Sequence, residues 1–172
     1  MSYPSQPDFD VLQGESSPCK DFGVPLANEV AEQRFMEVVN QARSRVSEAF
    51  GIEFEFSEKN IDTLESVIQE MWDTGWDPSS GDIDLFSRDF GSLLAVSIQR
   101  SLGGKFVFRS NTDLTHASIW FEQCCLEAFP FHRVFKRLTC QHGESLTYFF
   151  QSLRKALSSA VPSVPGLKKL GS

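Results

Sequence analysis

The order of hydrophobic periodicities along the chain is the feature that most constrains its fold. Segments with apolar residues at helical three-four spacing come first, segments that alternate apolar and polar residues follow, and two helical segments close the sequence. The helical segments span about residues 28–50, 58–74, 83–102, 131–138 and 144–159, and the alternating segments span 105–109 and 117–129. This segregation predicts an α+β fold, in which about five helices cover a small antiparallel sheet of about three strands.

Local signals refine these boundaries. Ser57 is a good N-cap for the second helix, and Gly103 followed by Gly104 ends the third helix. Gly91 lies inside the third helix at a cost of about 1 kcal/mol relative to alanine, which predicts close packing against another element. The segment 117–129 is long for one strand, so we expect a break near Gln123.

Two further expectations concern aromatic residues, of which Phe is unusually common, with sixteen copies against two of Tyr. The alternation over 52–56 predicts a short edge strand with Ile52, Phe54 and Phe56 facing inward. The helical and strand patterns place three other rings in the core. These are Phe90, Phe106 and Phe135.

Length and composition are those of one globular domain. The chain has 172 residues, of which 41% are hydrophobic and 23% charged, close to globular averages. We assign 28–160 to a single domain, 1–27 to a mobile arm and 161–172 to a flexible tail. We find no apolar run long enough to span a membrane and no secretory signal, so we expect a cytoplasmic protein with reduced cysteines and no membrane partner.

Charge is distributed unevenly along the chain. Residues 28–90 contain fifteen acidic and five basic side chains, whereas residues 91–172 contain four acidic and ten basic ones. Such asymmetry steers charged partners. The alternative is that the two halves attract each other within the domain.

The acidic residues and one aromatic residue around the second helix predict a partner-binding surface. Helix geometry leaves several of them off the apolar stripe, and aromatic residues ringed by charge are typical of binding hot spots. The candidate residues are Glu65, Gln69, Glu70, Asp73, Trp76, Asp77, Asp82 and Asp84. Two alternatives stay open: Trp76 could fold back over the core, and the two aspartates of 82–84 could serve only the helix dipole.

Signals for metal, catalysis and nucleic acid are weak. Five potential zinc ligands lie within nineteen residues, at a spacing that matches no common zinc motif: Cys124, Cys125, His132, Cys140 and His142. We therefore expect no metal and no cofactor. No catalytic signature is present. Nucleic acid is disfavoured despite the basic residues of 133–137 and 154–155, because the pI is about 5.0.

Three runs of residues resemble a widespread family of small bacterial domains of unknown function. They are Phe90 to Leu94, Leu102 to Phe106, and Phe129 to Arg137, within a resemblance that covers about 57–155. Two features depart from the family pattern: Phe106 stands where Trp is expected, and the Cys124-Cys125 pair is not part of it. Some similar domains lie near toxin and secretion loci, and some are immunity proteins.

These observations predict a non-enzymatic protein-binding domain. Its concrete version is an immunity-type inhibitor that neutralises a basic toxin or secreted effector through the acidic surface. The alternatives are a small enzyme with an unrecognised site, for which the trio His116, His132 and His142 is the place to look, and a structural or secretion-associated adaptor.

Overall fold

The structure, a computed structural model, describes residues 29–109, 114, 117–140 and 145–160. In this part of the chain five helices and one three-stranded antiparallel sheet form a single domain-like arrangement, which confirms the predicted α+β class. The predicted arm and tail, 1–27 and 161–172, lie outside the described residues. The helices are α1 Glu29–Phe50, α2 Glu58–Asp73, α3 Ser80–Leu102, α4 Pro130–Thr139 and α5 Leu146–Ala160; the strands are β1 Lys105–Val107, β2 Ser118–Phe121 and β3 Leu126–Ala128.

Helix α3 lies at the centre of the domain and packs against α1, α2, α4 and strand β2. Its residues from Asp89 to Ile98 are all buried, which places apolar side chains on every side of the helix in contact with neighbours. The surrounding helices each contribute one stripe, as the three-four spacing predicts. The largest fully buried side chains are Phe35, Phe54, Phe90, Phe121, Phe150, Ile61, Leu64, Ile68, Leu93, Leu94, Ile98 and Ile119.

The segment 52–56 is not a strand, so the predicted edge strand is wrong. Its inward side chains are nevertheless placed as expected, with Phe54 and Phe56 buried. The buried side chain of Asn60, in the first turn of α2, holds this segment in a compact loop. Its Oδ1 accepts hydrogen bonds from the backbone N–H of Glu55 and Ser57 at 2.8 and 3.2 Å, and its Nδ2 donates to the Glu53 carbonyl at 3.2 Å.

Helix α3 begins earlier than predicted, because its capping residue is Ser79. The Ser79 Oγ accepts a hydrogen bond from the backbone N–H of Asp82, and the Asp82 carboxylate accepts from the backbone N–H and the hydroxyl of Ser79. This reciprocal capping satisfies donors that the first turn leaves open. At the other end, Gly103 has a φ of 81°, a conformation that favours glycine, and it ends the helix as predicted.

The sheet is a meander in the order β1-β2-β3, with Phe106 opposite Ile119 and Ile119 opposite Ala128. A single 3-10 turn, Glu122–Cys124, separates β2 from β3, so the predicted break near Gln123 is confirmed. Gly104 brings β1 against β2 closely: a methyl group placed on it would lie 2.7 Å from Cγ2 of Ile119.

Helix α4 packs against α3 at Gly91, as the glycine predicted. A methyl group on Gly91 would lie 2.6 Å from Cδ1 and 3.0 Å from Cα of Phe131, so no larger residue fits without movement of backbone. Of the three rings placed in the core from the sequence, Phe90 and Phe106 are buried. The prediction for Phe135 is wrong, since its side chain is 44% exposed at the edge of the α4 stripe.

Candidate functional site

Two of the predicted partner-binding residues, Glu65 and Gln69, join helices rather than face a partner. The guanidinium of Arg137 on α4 is only 2% exposed; its Nε donates to Glu65 at 3.0 Å and its Nη2 to Gln69 at 2.7 Å. The second carboxylate oxygen of Glu65 accepts from the backbone N–H of Leu146, the first residue of α5, at 2.7 Å. Glu65 is therefore mostly buried, and the expectation that helix geometry leaves it to solvent is wrong.

Trp76 folds back onto the core, which was one of the two alternatives that the sequence left open for it. Its ring makes edge contacts with Trp72 and Phe86, each at 5.8 Å between ring centroids, and its backbone N–H donates to the Met71 carbonyl at 3.0 Å. The side chain is half-buried rather than projecting. The ring therefore covers the point where Trp72 of α2 and Phe86 of α3 approach each other.

The other predicted residues do lie on one exposed stretch, which we call the acidic face. It runs from the last turn of α2 through the following loop into the first two turns of α3. Its members are Glu70, Asp73, Asp77, Asp82 and Asp84.

Within the acidic face, two carboxylates accept hydrogen bonds from neighbouring residues, and three accept none within the described residues. Asp73 accepts a hydrogen bond from Gln69 at 2.8 Å, and the hydrogen bonds from Ser79 hold the pKa of Asp82 below its ordinary value. In the described part of the chain, Glu70, Asp77 and Asp84 form no ion pair and no side-chain hydrogen bond. Their charges are therefore available to a partner.

Beside the acidic face lies a groove that the sequence did not indicate. It is a cavity of about 910 Å³ between the first half of α3, the ends of the strands and α4. Its wall is largely apolar, and it includes Asp84 of the acidic face. The principal lining side chains are Leu85, Arg88, Arg109, Phe129, Phe131 and Phe135.

Two arginines lie at the groove, and they differ in how firmly they are held. Arg109 pairs with Glu127 at 2.7 Å and lies 5.7 Å from the centre of the Phe129 ring. Arg88 lies 3.6 Å from Asp89, whose carboxylate is already held by two hydrogen bonds from Arg45 at 2.6 and 2.7 Å. Arg88 is therefore held less firmly by its ion pair than Arg109 is.

Groups that could support catalysis or metal binding are scattered. His132 is exposed at the groove, whereas His116 and His142 lie outside the described residues. Among the side chains that can be placed, no three of His, Cys, Asp or Glu are grouped to hold a metal ion. Burial raises the pKa of the Cys124 thiol, which lowers its reactivity.

The cysteines depart from the expectation of reduced thiols at one position. Cys124 and Cys140 are free, but Cys125 is disulfide-bonded. The expected cytoplasmic location therefore loses the support of fully reduced cysteines and stays a prediction. Of the helices that can be described, none is long and apolar enough to cross a bilayer.

The basic residues near the C-terminal end are largely engaged with other groups. Arg137 is buried, Arg133 lies 4.7 Å from the centre of the Phe149 ring, and Arg154 pairs with Glu58. This pairing holds the pKa of Glu58 below its ordinary value. The cations thus serve packing between helices, in addition to any outward role.

The chain matches no protein-family model, and no curated protein or solved structure is significantly similar to it. Its function is therefore argued from the acidic face and the groove.

Proposed function

We propose that this protein is a non-enzymatic binding domain that recognises a basic protein partner through the acidic face, with an immunity-type inhibitor of a toxin as the concrete form. The observation that carries the proposal is the set of exposed carboxylates Glu70, Asp77 and Asp84, which form no ion pair within the described residues. Unneutralised charge of one sign attracts a complementary surface, and it raises the rate of association more than the final affinity.

The structure narrows the set of contact residues proposed from the sequence. Glu65 and Gln69 hold Arg137, and Trp76 covers the core, so none of the three is offered to the partner. Reversing the charge of Glu65 would damage the fold. The outward carboxylates can be reversed with the fold intact, which makes them the residues to test.

The test compares two variants of equal charge. The first carries Glu70→Lys, Asp77→Lys and Asp84→Lys; the matched control reverses three exposed carboxylates away from the acidic face. The control residues are Glu37, Glu53 and Glu55. Each purified protein is immobilised at physiological salt and exposed to soluble extract of the cells that produce it. Circular dichroism and thermal melting first establish that both variants are folded.

We expect a basic protein that is retained by the wild type and by the control but not by the acidic-face variant. Its association rate, measured by surface plasmon resonance, should fall about tenfold or more between low and high salt, since screening shortens the range of the steering field. Equal retention by the two variants would show that the acidic face is not the interface. Retention of no protein by the wild type would refute the proposal itself.

A further inference from the structure

Leu85 and Phe135 are large apolar side chains that are exposed to solvent in the same groove. Among the described residues, the exposed large hydrophobic side chains are Val30, Leu85, Phe135 and Tyr148, and two of these four line one groove. Scattered single exposed hydrophobics need no explanation, but neighbouring ones in a concave surface mark an interaction site. The volume of about 910 Å³ lies within the range of binding clefts, roughly 300–1,000 Å³.

The walls of the groove belong to rigid elements. Leu85 and Arg88 on α3 line the groove together with Phe131 of α4, the residue that packs against Gly91 of α3. That close contact with Phe131 anchors α4 to α3, and Phe135 follows one turn later on α4. A site on packed helices is preorganised, so little ordering is needed when it is filled.

The charged side chains at the groove bear on the chemistry of its occupant. Besides the exposed His132, the lining includes Arg109, which is already paired with Glu127, and the less firmly held Asp84 and Arg88. Asp84 lies at its rim with no ion pair in the described part of the chain, and it is shared with the acidic face. On the same helix, one turn later, Arg88 forms one long ion pair, with Asp89 at 3.6 Å, among the residues that the structure describes. A segment that places an apolar anchor in the groove can pair an adjacent basic side chain with Asp84, and Arg88 can donate a hydrogen bond to a backbone carbonyl of the same segment.

We infer that the groove receives a short polypeptide segment of the partner, in which a bulky apolar side chain stands next to a lysine or arginine. This inference rests on the proposed function, because it adds an anchoring pocket to the same basic partner. The anchor supplies the desolvated centre of the interface, and the acidic face supplies its charged rim.

The test is selection of a random twelve-residue peptide library displayed on phage against the wild-type protein. Enriched peptides are synthesised, and their dissociation constants are measured by fluorescence anisotropy for three variants. The groove variant carries Leu85→Ser and Phe135→Ser, the matched control carries Val30→Ser and Tyr148→Ser at exposed apolar positions outside the groove, and the third carries Asp84→Lys. Melting temperatures establish that each variant is folded.

We expect enriched peptides to share an apolar residue next to a basic one, and to bind the groove variant at least tenfold more weakly than the control. Asp84→Lys should weaken the same peptides by a factor of several, and replacing their basic residue by Ser should remove that difference. Peptides that bind the groove variant and the control equally, or a selection that enriches none, would overturn the inference. Competition of the peptides by dodecanoate with no peptide consensus would instead assign the groove to a small amphiphile and would also overturn it.

The outcomes separate this inference from the proposed function. Peptides rich in basic residues that bind the groove variant normally would leave the acidic face as the interface and remove the groove from it. Peptides without basic residues that require Leu85 and Phe135 would overturn the basic flank of the inferred segment, and the basic partner of the acidic face would still be tested by the charge-reversal variant.

Discussion

The two halves of α3 share one helix but differ completely in their surroundings. From Asp89 to Ile98 every residue is buried, whereas from Ser80 to Arg88 every residue is half-buried or exposed. The buried half contains small residues, Gly91, Ser92, Ala95 and Ser97, among its large apolar ones. These small residues allow neighbouring elements to approach on all sides.

The exposed half keeps features that a buried helix could not hold. It contains Asp84, which has no ion pair within the described residues, the weakly held Arg88 and the exposed Leu85, and all three line the groove. A charge of this kind in the buried half would require a partner, as Asp89 at the boundary has in Arg45. The comparison teaches that one half of the helix organises the core and the other half is free to carry a binding surface.

The largest effect is expected from the buried half. Phe90→Ala should lower the free energy of unfolding by about 3–5 kcal/mol, because the ring is fully buried and its removal leaves a cavity. Urea denaturation with an unchanged m-value measures this loss. Phe135→Ala, which removes the same ring from an exposed position, is the matched control and should cost clearly less. Equal losses for the two variants would contradict the division between core and surface.

A smaller effect is expected at the contact between α3 and α4. Gly91→Ala should destabilise the protein by about 1–3 kcal/mol, because the added methyl group meets both the ring and the backbone of Phe131. Gly81→Ala in the exposed half is the control, since the nearest atom to its added methyl lies at 3.8 Å. That variant should be unchanged or up to about 1 kcal/mol more stable, because alanine favours helix over glycine. Thermal unfolding should therefore show a lower melting temperature for Gly91→Ala than for the wild type, and an equal or higher one for Gly81→Ala. A Gly91→Ala protein as stable as the wild type would disprove the tight contact.

The start of the exposed half should respond to loss of its cap. Ser79→Ala should cost about 1 kcal/mol, because the Ser79 hydroxyl accepts from the Asp82 backbone and donates to its carboxylate. The pKa of Asp82 is lowered by these hydrogen bonds, so the ionised form stabilises the fold. This stability is fully present above the ordinary aspartate pKa and is lost as the pH falls through the lowered one.

The pH dependence provides its own measurement. Asp82→Asn should be less stable than the wild type at pH 7, and the difference should shrink as the pH is lowered below the ordinary aspartate pKa. Denaturation curves collected between pH 7 and pH 2.5 test this. A difference that grows on acidification would mean that the carboxylate does not act through its charge.

The smallest effect is expected at the groove. Leu85→Ser should change the free energy of unfolding by no more than about 0.5 kcal/mol, because the side chain is already exposed to solvent. Hydrogen exchange of α3 amides should be unaltered in the same variant. A loss comparable to that of Gly91→Ala would show that Leu85 belongs to the core, and it would weaken the case for a preformed groove.

Much of the helical structure could be predicted from local patterns. The ends of α1, the cap of α2 at Ser57 and the glycine that stops α3 follow from residues within one turn of the feature they determine. The break between β2 and β3 could also be predicted, since strands of that length are uncommon. The resemblance to small bacterial domains and the protein-binding function that it suggested both stay predictions, since no family model matches the chain.

The wrong predictions share one cause, which is that hydrophobic periodicity does not show which groups a residue will contact. Alternation over 52–56 suggested a strand, but a strand needs a paired neighbour, and Asn60 binds that backbone instead. Phe135 continued an apolar stripe, but its position at the groove leaves it exposed. Glu65 was assigned to solvent because helix geometry cannot show that a buried arginine, Arg137, will reach it from α4.

The sequence by itself determined the class of fold, the order of its elements and the location of excess negative charge, because periodicity, capping and composition are local properties of the chain. Only the tertiary structure decided which carboxylates form ion pairs inside the domain and which stay exposed to solvent. On helix α2, Glu65 pairs with the buried Arg137, whereas Glu70 is exposed. It also created the groove, whose walls come from α3 and α4. The physical reason is that burial and pairing depend on which surfaces meet, and that is fixed only when the helices and the sheet pack around one core.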